Sequence, residues 1–170
     1  MSPVPTRAVL SLGSNLGDRL EHLQGALDLL AARGVRAMDV SPVYQTAPVG
    51  GVAQDDFLNV IVIVETDLSP LDLLTQCQEV ETAHDRIRDV RWGPRTLDVD
   101  IVSMDGVEMD DDQLTLPHPR AQERAFVCIP WLDVDPHARI GGSDVSALDL
   151  DTEGVFRRDE LRLRLPGVPE

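Results

Sequence analysis

Residues 84–102 read His-Asp-Arg-Ile-Arg-Asp-Val-Arg-Trp-Gly-Pro-Arg-Thr-Leu-Asp-Val-Asp-Ile-Val. Four arginines precede a segment in which Asp98 and Asp100 alternate with apolar residues. The alternation predicts a strand over 97–104 with both carboxylates on one face, about 6.5–7 Å apart. Paired carboxylates suit hard divalent cations, and guanidinium groups suit phosphate oxygens. The stretch therefore indicates phosphoryl transfer.

Each half of this stretch also has a structural interpretation. Asp98 and Asp100 could be solvent-facing charges of an edge strand. The run around them is apolar, as in a central strand where unpaired carboxylates are costly to bury, and this favours metal coordination. The arginines could decorate a solvated loop. Because the arginines cluster in a chain of net charge −15, an anion site is as well supported as a solvated loop.

Length and charge restrict the class of protein. The chain has 170 residues, which predicts one domain over 1–150, followed by a weakly ordered tail over 151–170. The net charge of −15 argues against binding to nucleic acid or to an anionic membrane. All 15 basic side chains are arginine, which excludes a lysine-based P-loop and a Schiff-base mechanism.

Cys77 and Cys128 lie far apart in sequence and predict two buried, reduced thiols. The chain contains no apolar signal core at its amino terminus and no apolar run that approaches about 20 residues. We therefore expect a cytoplasmic protein.

The hydrophobic pattern predicts the order of elements. Strands are expected at 7–12, 35–43, 57–65 and 97–104, and helices at 18–32 and from Ser69-Pro70 onward. This βαββαβ order is typical of a ferredoxin-like α+β fold with an antiparallel sheet and helices packed on it. Residues 44–56 are predicted to be an extended loop, and 114–126 an extended segment with a short helical turn.

Three polar positions remain open to more than one interpretation. Asn59 lies inside an apolar strand and is either a satisfied structural amide or a ligand contact. His118, between two prolines, either donates to a phosphate or only packs. The acidic run 110–112 is interpreted as a solvated turn rather than a metal site.

The motifs together resemble those of one enzyme family. Residues 92–100, Trp-Gly-Pro-Arg-Thr-Leu-Asp-Val-Asp, and 116–118, Leu-Pro-His, resemble the signature of 6-hydroxymethyl-7,8-dihydropterin pyrophosphokinase. Residues 13–17 (Gly-Ser-Asn-Leu-Gly) and 57–59 (Phe-Leu-Asn) match its other motifs in the same order. The resemblance implies a ferredoxin-like fold and transfer of the β,γ-pyrophosphoryl group of ATP to the pterin hydroxymethyl, releasing AMP, in folate biosynthesis.

The resemblance also assigns roles on the phosphate side. Asp98 and Asp100 would hold two Mg²⁺ ions, and Arg86 and Arg95 would neutralise charge on the transferring group. Glu81 would orient the arginines. The nucleotide site would be formed by Leu74, Gln78, Glu81, Arg88, Trp92, Ile101, Thr115, His118 and Arg124.

On the pterin side, the resemblance implies that Phe57 and Phe126 enclose the ring. Its polar edge would be read by Thr46, Ala47, Pro48, Val49 and Asn59. The partners would be two small molecules, ATP and 6-hydroxymethyl-7,8-dihydropterin, with no nucleic acid or membrane, and we expect a monomer.

Two other functions agree with the same residues. A ferredoxin-like module could bind a nucleotide without catalysis, and a different phosphotransferase would release ADP. Loss of Asp98 or Asp100 would favour the non-catalytic module, but both are present.

Overall fold

The computed structural model of the protein describes residues 4–47, 55–84 and 96–166. Its helices are α1 (Arg19–Ala32), α2 (Pro70–Ala83) and α3 (Ala125–Val134), with 3-10 turns at Ala121–Glu123 and Val145–Ala147. Its strands are β1 (Thr6–Ser14), β2 (Val35–Val40), β3 (Tyr44–Thr46), β4 (Phe57–Thr66), β5 (Asp98–Met104), β6 (Met109–Asp110), β7 (Thr115–Leu116), β8 (Arg139–Ile140), β9 (Ser143–Asp144) and β10 (Val155–Arg157).

The main sheet is antiparallel and confirms the predicted fold class. Its order is β10-β3-β4-β1-β5, and β2 also pairs with β4. Strands β1, β2, β4 and β5 with helices α1 and α2 form the βαββαβ core. The long apolar strand β4 lies inside the sheet, as its unbroken run of β-branched residues predicts.

Alternating side chains of the sheet enter two separate apolar layers. Leu10, Leu12 and Val62 belong to the layer that contains the buried faces of α1 and α2. Val9 and Ile63 belong to the opposite layer, which contains Val127, Cys128 and Trp131 of α3. The period of two along each strand thus assigns neighbouring residues to different layers.

Helix starts follow local chemistry. Ser69 accepts a hydrogen bond from the backbone of Asp72 (3.2 Å) and Pro70 takes the first helical position, as predicted. Asp18 caps α1 in the same way, through the backbone of Glu21 (3.2 Å). In the parts of the chain that the structure describes, no helix has the length and apolar character needed to cross a membrane.

The predicted strand 35–43 is wrong in its extent, and the loop 44–56 begins too early. β2 ends at Val40, and Tyr44–Thr46 form a separate strand. The cause is the length of β4: β2 pairs along its second half and β3 along its first. The chain bends between them at Ser41, whose backbone and hydroxyl both bond to Ile61 at 2.9 Å.

The aspartate-bearing strand does not lie in the centre of the sheet. β5 is the terminal strand and pairs with β1 alone within the described sheet. Asp100 is exposed and Asp98 is half-buried. The argument for a metal from the cost of burying unpaired carboxylates therefore fails, because the edge position leaves the pair accessible.

The end of the described chain differs from the expected weakly ordered tail. β10 pairs with β3, and the backbone nitrogen of Arg158 donates to Val43 (2.8 Å). Leu161 and Leu163 pack against the layer that contains α1 and α2. Residues 155–166 are thus part of the folded structure. The boundary of a single domain at residue 150 stays a prediction.

Candidate active site

Strand register brings one polar row together on the face that carries α3. Gly13 on β1 lies opposite Asn59 on β4 and opposite Asp98 on β5. Ser11, two residues before Gly13, lies opposite Asp100. Because directly opposed residues point to the same face, Asn59 and the two aspartates share one surface across three strands.

Gly13 permits the close approach of its neighbour on β4. A Cβ added at Gly13 would lie 2.8 Å from Asn59 Oδ1 and 3.5 Å from the ring of Phe57. The first distance is shorter than non-bonded carbon and oxygen atoms allow. The position therefore requires glycine if the Asn59 amide is to keep its place.

The predicted pterin contacts Thr46, Phe57 and Asn59 lie together where β3 pairs with β4. Asn59 is 4% exposed and donates from Nδ2 to Thr46 Oγ1 (2.7 Å). Thr46 lies opposite Phe57, whose side chain is half-buried. Ala47 follows β3 and is exposed. The Asn59 amide is thus anchored on one side.

Phe126 lies in the first turn of α3, half-buried against the second apolar layer. The Arg124 guanidinium lies 5.6 Å from the centre of its ring, within the range of a cation–π contact.

Tyr44, opposite Asn59, donates to Asp133 on α3. Burial and this carboxylate raise the pKa of Tyr44 to about 12, so the hydroxyl remains a donor at neutral pH.

His118 lies close enough to Asp100 for the two groups to affect each other. Its backbone nitrogen donates to Val102 on β5 (2.8 Å), and its Nδ1 accepts from the Arg120 backbone (3.2 Å). Burial lowers the pKa of His118, the Asp100 charge opposes this, and Arg124 and Arg120 add to the lowering. The ring is therefore neutral at pH 7, with its proton on Nε2.

Glu81 has a role that the sequence did not predict. Its carboxylate, 3% exposed, accepts a hydrogen bond from the Val99 backbone nitrogen (2.9 Å). Val99 lies between the two aspartates on the outer edge of β5. Helix α2 is thus bonded to this edge strand at the residue between the two aspartates.

Glu81→Leu is expected to lower the free energy of unfolding by about 2 kcal/mol, because a buried backbone N–H loses its acceptor. Urea unfolding measures this loss. Gln78→Leu, at an exposed position on the same helix, is the matched control and should change stability by less than about 0.5 kcal/mol. Equal effects of the two variants would contradict the role of Glu81.

Two other predicted nucleotide contacts, Ile101 and Leu74, belong to the apolar layer on the opposite face of β5. Ile101 is 3% exposed, and Leu74 is partly buried against the same layer, so neither side chain shares the surface of the aspartates. Gln78 is exposed on α2.

Thr115 on β7 donates from its hydroxyl to Asp110 (3.1 Å). Asp111 accepts two backbone bonds, so the acidic run forms a turn as predicted.

Some predicted residues fall outside the described ranges. These are Pro48, Val49, Arg86, Arg88, Trp92 and Arg95. Gly13 and Ser11 were not recognised as neighbours of the site from the sequence. A glycine near the end of an otherwise apolar strand was the available signal for Gly13.

The two thiols are free and buried, as predicted. Burial, with the charges of Glu81 and Asp100, raises the pKa of Cys77 to about 12. Burial raises that of Cys128 to about 11. At pH 8, neither thiol of the native protein should react with a disulfide reagent such as DTNB, whereas both should react in guanidinium chloride. Rapid labelling of the native protein would contradict this.

Comparison with known proteins identifies a family and individual proteins whose sequences are similar to this chain. The sequence model of the 7,8-dihydro-6-hydroxymethylpterin-pyrophosphokinase (HPPK) family matches residues 9–136. A 2-amino-4-hydroxy-6-hydroxymethyldihydropteridine pyrophosphokinase from Methylorubrum extorquens is 43% identical over 155 residues, covering 89% of this chain and 98% of the relative. The enzyme of the same name from Bacillus subtilis is 40% identical, covering 87% of each chain.

Solved structures agree in fold. A crystal structure of Plasmodium falciparum HPPK-DHPS with SDX-DHP superposes with a TM-score of 0.65 at 15% identity, covering 89% of this chain and 47% of that one. This chain thus spans about half the length of that two-part protein, and the likeness shows the ferredoxin-like fold alone. The sequence matches carry the assignment: the chain belongs to the 7,8-dihydro-6-hydroxymethylpterin-pyrophosphokinase family.

Proposed function

We propose that this chain transfers the pyrophosphoryl group of ATP to 6-hydroxymethyl-7,8-dihydropterin, forming the pterin diphosphate and AMP in folate biosynthesis. The observation that carries the proposal is the row Asn59–Gly13–Asp98. This row places a buried amide, a glycine without a side chain and a carboxylate on three adjacent strands, over about 10 Å. A flat bicyclic ring with a polar edge at one end and a reacting hydroxymethyl at the other suits such a row.

The carboxylate pair fits magnesium. Mg²⁺ is held by one or two carboxylates with substrate phosphates and water completing its shell, and Asp98 and Asp100 provide hard oxygen donors on one accessible face. No group of three or more histidine, cysteine or acidic side chains arranged for a metal occurs in the described ranges. When bound, up to two Mg²⁺ ions would supply Lewis-acid neutralisation of phosphate charge.

The chain's own groups would bind and orient the reactants. The pterin hydroxyl oxygen attacks the β-phosphorus of ATP, the bond from that phosphorus to the α,β-bridging oxygen breaks, and AMP departs with that oxygen. Asp100 would assist by accepting the hydroxyl proton. His118, neutral and protonated on Nε2, would donate to a phosphate oxygen, and Arg124 would add positive charge. The roles predicted from the sequence are kept for Arg86, Arg88, Arg95 and Trp92.

Residues on either side of this centre would hold the two substrates. Thr46 and Asn59, with Ala47, Pro48 and Val49, would read the pterin edge, and Phe57 and Phe126 would pack on the ring. Leu74, Gln78, Ile101 and Thr115 would adjoin the adenosine.

The edge position of β5 supports the adenosine assignment. Val99 directs its N–H away from β1, and Ile101, two residues later, directs its backbone groups the same way. The backbone groups of Ile101 therefore lie at the outer edge of the sheet. An adenine could bond to them there, although the Ile101 side chain is buried.

One incubation tests the function. The protein is mixed with ATP and Mg²⁺, with and without 6-hydroxymethyl-7,8-dihydropterin, and the nucleotides and pterins are separated. AMP and pterin diphosphate in equal amounts, formed only with the pterin, are the expected result. ADP, or no turnover at any Mg²⁺ concentration, would overturn the proposal, and unchanged turnover in EDTA would remove the metal from it. A cytoplasmic monomer remains the prediction for location and assembly.

A further inference from the structure

The last described part of the chain pairs with the edge of β3, the strand that carries the predicted pterin contact Thr46. The family model matches residues 9–136, so β10 and the residues after it lie beyond the matched region. Val155 pairs with Thr46, and Arg157 pairs with Tyr44. The other edge of β3 pairs with β4 at Phe57 and Asn59. Strand β3, only three residues long, is thus enclosed between β10 and β4.

A chain of side-chain hydrogen bonds follows the same path. Arg158 Nη1 donates to Gln45 Oε1, and Gln45 Nε2 donates to Asp56 Oδ2 (2.9 Å). Arg19 on α1 donates to the backbone oxygen of Asp56 (2.9 Å). Because the Gln45 amide has partners at both ends, its orientation is determined. Arg158 is thereby connected to the residue that directly precedes Phe57.

The far end of the segment is also anchored. Gln24 on α1 donates to the backbone oxygen of Arg164 (3.0 Å) and accepts from its backbone nitrogen (2.8 Å). This amide forms two bonds to one residue, as a neighbouring strand would. Residues 155–166 are therefore attached to β3 at one end and to α1 at the other.

We propose that residues 155–158 position the pterin-reading pair Thr46 and Asn59, with Arg158 as the positioning residue that acts through Gln45. A three-residue strand has too few bonds of its own to hold a unique register against β4. The pairing with β10 and the bond from Arg158 supply that register. The 2.7 Å bond between Asn59 and Thr46 depends on it, because those two side chains lie on adjacent strands. This inference rests on the proposed function.

The test measures binding of each substrate to five proteins, each with all 170 residues of the chain. They are the wild type, Arg158→Ala, Arg158→Lys, Gln45→Met and Glu160→Ala. Glu160→Ala is the matched control, because the exposed Glu160 bonds to Nε of Arg158, whereas Gln45 bonds to Nη1. Pterin affinity is measured by fluorescence titration, ATP affinity by calorimetry, and the fold by thermal unfolding.

Arg158→Ala is expected to raise the Kd and KM for the pterin about 5-fold, with kcat and ATP affinity changed less than about 2-fold, because one charged hydrogen bond acts on the site indirectly. Arg158→Lys, which keeps a donor, should recover most of the pterin affinity, and Glu160→Ala should resemble the wild type. Gln45→Met removes the hydrogen bond to Arg158 from the β3 side. If Arg158→Ala does not fold, the pterin affinity of Gln45→Met tests the positioning role.

Unchanged pterin affinity in both Arg158→Ala and Gln45→Met would overturn the positioning role. Equal weakening of pterin and ATP, or the same loss in Glu160→Ala, would also overturn it, since these results indicate a general structural effect. A wild type that forms no AMP with the pterin would instead overturn the proposed function.

Discussion

Asp98→Ala is expected to lower kcat by roughly 10³-fold or more while the protein remains folded. Metal-assisted neutralisation of phosphate charge supplies several kcal/mol of transition-state stabilisation, and each 1.4 kcal/mol corresponds to about tenfold in rate. Removal of one of two carboxylate ligands should forfeit most of this. The fold should survive because Asp98 is half-buried on the terminal strand and belongs to neither apolar layer.

Turnover assays across Mg²⁺ concentrations measure the effect, with circular dichroism as the check on folding. Asp112→Ala is the matched control, because Asp112 is an exposed aspartate in the acidic turn. It should retain wild-type activity within about twofold, as surface substitutions away from a site usually do. Near-normal activity of folded Asp98→Ala would remove Asp98 from the metal site.

Gly13→Ala is expected to weaken pterin binding by about 10- to 100-fold. Its new methyl group would lie 2.8 Å from Asn59 Oδ1, and Asn59 is buried and bonded to Thr46. The amide must therefore move, at a cost of about 1–3 kcal/mol, the range for overpacking in a filled interior. ATP affinity should change much less, because the predicted adenosine contacts adjoin the other side of β5.

A double-mutant cycle separates this clash from general damage to the strand. Asn59→Ala removes the atom that the methyl group meets, so Gly13→Ala should have little further effect on pterin affinity or thermal stability in that background. Each variant is measured for pterin Kd and thermal midpoint. Additive losses in the double variant would show that the methyl group acts through something other than Asn59.

Much of the architecture follows from short-range patterns. The cap at Ser69, the helical spacing over 18–32 and the alternation around Asp98 depend on residues a few positions apart, and each predicted its element correctly. The order of those elements restricted the sheet to the βαββαβ arrangement. Resemblance supplied the identity of the substrates, which residue types alone left as phosphoryl transfer.

Where prediction failed, the deciding contacts were distant in sequence. An apolar run such as 97–104 has the same composition in a central strand as in a terminal strand whose edge is covered by Glu81. The short strand β3 carries no pattern of its own, and it exists because β4 and β10 pair with its two edges. Neither feature has a local signature.

The sequence by itself thus determined the elements of the βαββαβ core, their order and the chemical character of the aspartate pair. Only the tertiary structure decided that Asn59, Gly13 and Asp98 form one row, that β5 is terminal, and that Val155–Arg157 pair with β3. The physical reason is that hydrophobic period and capping act within a few residues of the chain. Strand register and edge position arise instead from pairing between segments tens of residues apart, including the link of Gln45 to Arg158 across 113 positions.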